Sequence, residues 1–315
     1  MKFLLHGATL ALAWFLVVNL GFSSVIAWAS ARRGRPSSPG FWFTVRMLPG
    51  LAATLFVAAI FLPSYWRYEP RQTAEGFDLT LTACAILGAS LLGAGGIRGV
   101  SAWRRATVRT RAWLGTARPL SIAHTPIPAF EIEAEYPLMA LVGVLRPRLL
   151  VTRGLMNALS DEELAACVAH EIGHSHAWDN FKRLAMRASP DALCGTPAAR
   201  EIERRWVSAS EHAADDVAGH HGAAARCALA SALVKVARLM PPQPVATEPF
   251  STLIAGGEIA SRVRRLLDDR AMAGSGPRLR VHIASAIAIM TLGATYGPLL
   301  HAVHHVTELL VQSLP

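Results

Sequence analysis

The run His170-Glu171-Ile172-Gly173-His174 holds two imidazoles and a carboxylate at a spacing that can do chemistry. On a helix, successive residues turn by about 100°, so His170 and His174 fall within roughly 40° of each other and both rings can converge on one ion. Neutral imidazole is a good zinc ligand, and a neighbouring carboxylate such as Glu171 can take a proton from water that the metal has acidified. Upstream, Ser160 and Glu163 have the spacing of a capping box, so a helix is predicted to start near Asp161 and to carry the run.

A catalytic zinc site needs a third protein ligand and an open position. A histidine six residues after His174 would supply one, but Asn180 stands there, and His176 points off the shared face. The better candidate is Glu211, on a separate alanine-rich helix expected from Pro197 to about Gly219. Asp215 lies one turn beyond it, where it can accept a hydrogen bond from a ligand imidazole and fix its tautomer. Asp179 is a further candidate for that role or for capping a helix. A solvated acidic face is the alternative for the Glu211/Asp215 pair. His212, His220 and His221 remain as candidates to stabilise an oxyanion, and spacing does not choose among them. Cys167 shares the histidine face; core packing is favoured over a fourth ligand or redox switch. The four cysteines, Cys84, Cys167, Cys194 and Cys227, show no paired short spacing and read as free thiols in a reducing compartment.

The elements that must position these residues sit in a greasy chain. Of 315 residues 52% are apolar and 17% charged, with a net charge of +9, which is too apolar for an ordinary soluble enzyme. Apolar runs cover Phe3 to Trp28, Met47 to Trp66, Leu79 to Ile97 and Val281 to about Leu299. The first would be about 39 Å long as a helix, enough to span a bilayer with tilt and too long for a signal peptide. Small residues in the third permit close helix packing. The segments Ala31 to Arg46 and Arg98 to Arg111 are strongly basic, which predicts that they lie on the cytoplasmic side, with both termini outside. The Arg clusters lack interleaved aromatics and follow the membrane boundaries, so direct nucleic-acid binding is not expected.

Between the third and fourth runs the chain is mixed in polarity. Phe130 to Glu135, Met139 to Leu145 and Leu149 to Thr152 read as short strands, and one of them could hold a substrate as an added strand. Helices are predicted from near Asp179 to the Ser189-Pro190-Asp191 break and from Ala223 to Met240, with Pro241 to Pro244 ending the latter. Glu258 to Arg270 is predicted to form a basic amphipathic helix, with Arg262, Arg264 and Arg265 either at an anionic membrane face or on a solvated one. His301, His304 and His305 share a helix face, as a metal or proton sensor or as plain interfacial histidines.

These residues resemble a family. Gly143 to Pro147, Leu155 to Leu164, Val168 to His174 with Asp179, and Glu211 with Asp215 are similar to the BlaR/MecR-type antirepressor membrane zinc peptidases, which are gluzincins; the likeness is strongest from Pro137 to Val217. It implies a mainly α membrane protein of four transmembrane helices with a cytoplasmic α+β zincin-like domain carrying a small sheet. The corresponding division is 1–100 for three spans, 101–280 for the metallopeptidase domain, and 281–315 for a fourth span with a short external tail. It also implies one Zn2+ per chain held by His170, His174 and Glu211, with Glu171 as the base and a protein or peptide as substrate. A repressor or other regulator is the substrate expected of that type, with a sensor partner or a homo-oligomer as further partners and the inner membrane as the location. Sensor members carry a penicillin-binding domain after the last span; here the sequence reaches Pro315, and a sensorless peptidase is expected. The HtpX-like and prenyl-protease quality-control family shares the zinc signature with a different span order and stands second. A non-catalytic signalling or scaffold protein with a structural zinc site is a third reading, against which Glu171 argues, since a structural site has no use for a base.

Overall fold

The computed structural model describes residues 1–30, 38–70, 78–122, 125–239, 259–268 and 278–313, with the side chains of 278–294 outside the description. The basic residues Arg32, Arg33 and Arg35 and the break Pro241 to Pro244 lie outside the described residues. Helix α1 runs Lys2–Ser30. Helix α2, Pro39–Phe56, is capped by Ser38, whose hydroxyl accepts from the Phe41 amide, and has proline at its first position, where no amide partner is needed. A π-helical turn, Val57–Phe61, joins it to α3, Leu62–Tyr68. Asp78 caps α4, Leu79–Thr116, by accepting from the amides of Thr80 and Leu81.

Lys2–Ser30, Pro39–Tyr68 and Leu79–Thr116 are the three helices among the described residues that are long and apolar enough to cross a membrane. Helix α4 does not stop where its apolar run stops. It continues through Arg98 to Arg111, because arginine and alanine are strong helix formers whether or not lipid surrounds them. The change in polarity at Ser101 therefore falls inside a helix. Close packing of the third apolar run is realised at Gly88, where a Cβ would stand 2.2 Å from the Leu12 carbonyl oxygen of α1.

Four short strands follow, β1 Arg118–Leu120, β2 Ala129–Ile132, β3 Met139–Val142 and β4 Arg148–Thr152, in the order β1-β2-β4-β3. The β2/β4 pair is parallel and the other two are antiparallel, which leaves β3 at an edge. Strand β1 was not expected, since Arg118-Pro119-Leu120 has no alternation to read. The β3–β4 turn needs Gly143, with φ +88° and a virtual Cβ only 2.5 Å from the Arg146 carbonyl oxygen.

Helix α5, Arg153–Ala158, leads into α6, Asp161–His176, with both halves of the capping box formed, and then α7, Asp179–Ala188. Helix α8 is Pro197–Gly219, α9 Ala223–Leu239, α10 Ile259–Leu267 and α11 Arg278–Ser313. Met139, Leu149, Val151, Leu155, Cys167, Leu229, Leu233 and Leu266 form one core between the sheet and α6, α9 and α10. Cys167 lies in that core, where burial pushes its thiol up to about 12, so it packs as an apolar group. The fourth apolar run lies within α11.

The three apolar helices grip one loop. Asn19 of α1 donates to the Pro190 carbonyl (2.8 Å) and accepts from the Ala192 amide (2.9 Å). Arg98 of α4 donates to the Ser189 carbonyl at 2.8 Å. Arg46, expected as one end of a basic cytoplasmic loop, is instead buried, 2.6 Å from Asp191 and 3.0 Å from Glu203 of α8. A buried cation requires such partners, and these lie far away in sequence.

Candidate metal centre

Capping fixes where α6 begins, and its regular turn brings the His170 and His174 Nε2 atoms to 3.2 Å. Gly173, between them in sequence, lets α8 approach closely; a Cβ there would stand 3.1 Å from the Ala214 Cα. That approach delivers Glu211, whose carboxylate oxygens lie 3.5 Å from His170 Nε2 and 3.6 Å from His174 Nε2. All three side chains are buried. Ligands held at about 2.1 Å in a tetrahedral zinc site are roughly 3.4 Å apart, so these separations suit one ion.

The outer nitrogens are occupied by carboxylates. His174 Nδ1 lies 2.7 Å from Asp179 and His170 Nδ1 lies 3.0 Å from Asp215. With Nδ1 carrying the proton, both Nε2 lone pairs face each other and Glu211. Neither Glu211 oxygen accepts an aligned hydrogen bond among the described residues. Acceptors gathered in a buried space repel one another unless a cation lies between them, and the donor set fits zinc. In the metal-free chain burial opposes charge on His170, but Asp215 and Glu211 outweigh it and push the imidazole up to about 9.

Asp179 reaches His174 because Trp178 takes a left-handed conformation, φ 57° and ψ 36°, which ends α6 and turns the chain sharply into α7. A tryptophan there is strained, as backbone geometry at functional sites often is. Glu171 is 1% exposed. Its Oε2 accepts from the Leu141 amide of the edge strand β3 at 3.1 Å, and Oε1 has no partner among the described residues. Burial pushes this carboxyl above its ordinary range, the direction that suits a proton carrier near neutral pH.

Beside these residues is a cleft of about 480 Å³, lined by Leu141, Gly143, His174, Trp178 and Asn180 among others. Asn180 Nδ2 donates to the carbonyls of Leu141 (2.9 Å) and Gly143 (3.0 Å), covering the outer edge of β3.

Arg262 corrects an expectation. Rather than meeting a membrane face, it is buried, with Nε and Nη2 donating to the two Asp215 oxygens (2.9 and 2.6 Å) and Nη1 2.9 Å from Glu211. Arg265 likewise turns inward and pairs with Asp216, while Arg264 is exposed. The helical spacing could have shown that Arg262 and Leu266 share a face; nothing in the sequence shows which element that face meets. His220 and His221 are exposed at the end of α8, His212 is half-buried, and His176 is exposed. Arg183 on α7 was not singled out from the sequence. It is half-buried beside Trp206, and its charge is felt by Glu211, Asp179 and Glu171.

Residues 106–196 match the family model described as Peptidase family M48. The matched stretch contains the sheet, His170, Glu171, His174 and Asp179 and ends before Glu211 and Asp215. No curated protein sequence matches the chain significantly.

Proposed function

We propose that the chain is an integral membrane zinc endopeptidase whose metal is held by His170, His174 and Glu211. The observation that carries this reading is the triad itself, with separations of 3.2, 3.5 and 3.6 Å and both outer imidazole nitrogens turned to carboxylates. The M48 match over the stretch that carries the two histidines supports it independently. A bound zinc ion supplies Lewis-acid polarisation and lowers the pKa of water at the site towards about 7.

The chain's own residues supply the rest. Glu171 takes the proton of the attacking water and returns it to the leaving amine. Asp215 and Asp179 hold the two imidazoles in the tautomer that leaves Nε2 free. Edge strand β3 offers backbone groups to an extended substrate segment, which reads main chain rather than side chains. For such a segment to pair there, the Asn180 amide must leave the Leu141 and Gly143 carbonyls. A regulator or other cytoplasmic protein presenting an extended segment is the substrate we propose, with the centre on the inner face of the plasma membrane and α11 as a fourth span. A sensor partner or a second copy would act on this same peptidase.

Glu171→Gln tests this. The variant should keep about one zinc per chain at the His170 site and lose at least 100-fold in cleavage of an unfolded protein substrate. Undiminished cleavage by Glu171→Gln, or by protein stripped of metal, would remove the assignment.

A further inference from the structure

A second group of metal-ligating side chains lies at the far end of α3, the opposite end of the second apolar helix from Arg46. Glu69 caps that end, and His304 and Glu308 stand one turn apart on α11. Donor atoms of the three lie within 4.8 Å of one another. We propose that Glu69, His304 and Glu308 bind a divalent transition cation of the zinc class, clasping α11 to α3.

The chemistry of the donors favours this. One imidazole with two carboxylates is a ligand set zinc accepts, and it leaves a position for water. The spacing of His304 and Glu308 puts both donors on one helix face, as His170 and His174 are on theirs. The His304 Nδ1 and Glu69 Oε2 atoms are 3.8 Å apart, too far for a hydrogen bond. They stand about 0.4 Å beyond the roughly 3.4 Å that two ligands of one tetrahedral ion keep. Bringing the widest pair, at most 4.8 Å apart, to that separation requires a closure of up to about 1.4 Å, which side-chain torsions supply. The Glu69 side chain is 3% exposed and that of His304 is 20% exposed, so the cation would be held largely out of water, where charge pairing is strong.

The framework around the three donors is already fixed. Tyr296 of α11 donates to the Ala59 carbonyl in the π-helical turn at 2.6 Å. Ser64 of α3 donates to the Leu300 carbonyl at 2.6 Å, and the Tyr68 ring stacks on His304 at 5.7 Å while meeting the edge of His301 at 5.4 Å. Both ligand-bearing helices are therefore held in register before any ion arrives, which lowers the entropy lost on binding. His301 serves here as a ring contact and lies outside the donor group.

The test uses full-length protein in detergent, stripped with a chelator, reloaded with Zn2+ and washed. Metal content should approach two per chain in the wild type and one in Glu308→Gln and in His304→Ala. In the double variant His170→Ala/His174→Ala it should remain at one, and zinc should raise that variant's melting temperature, a shift that Glu308→Gln then abolishes. Zero zinc in the double variant, or equal loading of wild type and Glu308→Gln, overturns the proposal. One zinc in the wild type falling to none in Glu308→Gln would sustain the clasp while removing the first centre, so the two assignments fail separately. Should His304→Ala not fold, Glu308→Gln alone decides, because the amide keeps the carboxylate's shape.

Discussion

Arg262 holds Asp215 with two hydrogen bonds, 2.9 and 2.6 Å, and Asp215 in turn faces the Nδ1 of His170 at 3.0 Å. The same guanidinium approaches Glu211 at 2.9 Å, so one side chain from α10 steadies both acidic residues that α8 brings to the centre. Replacing it by Met leaves two buried carboxylates short of a partner. We expect Arg262→Met to weaken zinc binding by about 10- to 100-fold, measured by chelator competition. The metal-free protein should also lose roughly 3–5 kcal/mol of stability. Unchanged zinc affinity would show that Arg262 does not position the ligands.

Asn180 occupies the edge of β3 that an extended substrate would need. Removing its amide removes a competitor for the Leu141 and Gly143 carbonyls, so Asn180→Ala should lower KM by roughly fivefold, about 1 kcal/mol, with kcat little changed. A rise in KM would mean that Asn180 contacts substrate instead.

Glu163 closes the capping box of α6 and also accepts from Ser231 (2.6 Å) and Lys235 (2.7 Å). Burial pushes its carboxyl up, but Lys235, Ser231 and the Ser160 amide outweigh this and hold it below its ordinary value. A depressed folded pKa contributes stability that is present above the unfolded value and lost as pH falls through the folded one. Glu163→Ala should therefore cost about 1–2 kcal/mol at pH 7, and the gap in melting temperature should narrow progressively below about pH 4.5. A gap independent of pH would sink this account.

Asp191 neutralises the buried Arg46 and so joins α2 to the loop that α1 and α4 also hold. Asp191→Ala removes the closer and more buried of that cation's two carboxylate partners, leaving Glu203, and should cost up to roughly 3 kcal/mol, whereas the paired change Arg46→Met/Asp191→Leu should recover much of it. Thermal melts of the two variants in one detergent decide the matter; equal losses would mean that packing, not charge, fixes the loop.

Local physics settled much of this protein from sequence alone. Ser160 and Glu163 cap a helix wherever it goes, one turn separates His170 from His174 by covalent geometry, and long apolar runs demand helices whose backbone groups bond internally. The start of α8, expected at Pro197, was readable because the Thr196 hydroxyl accepts from the Ala199 amide and proline suits a first helical position. Strand β1 and the extension of α4 beyond Ile97 were not, since three residues carry no period and helix propensity ignores the lipid boundary. Tertiary structure decided which faces meet. Gly173 against Ala214 sets the approach that brings Glu211 to the histidines, and Arg262 faces Asp215 rather than a bilayer. Arg46 finds its counter-charge 145 residues away. A basic residue looks the same in sequence whether water, lipid headgroups or a buried carboxylate will receive it, because the free energy that chooses among them belongs to the packed partner and not to the residue itself.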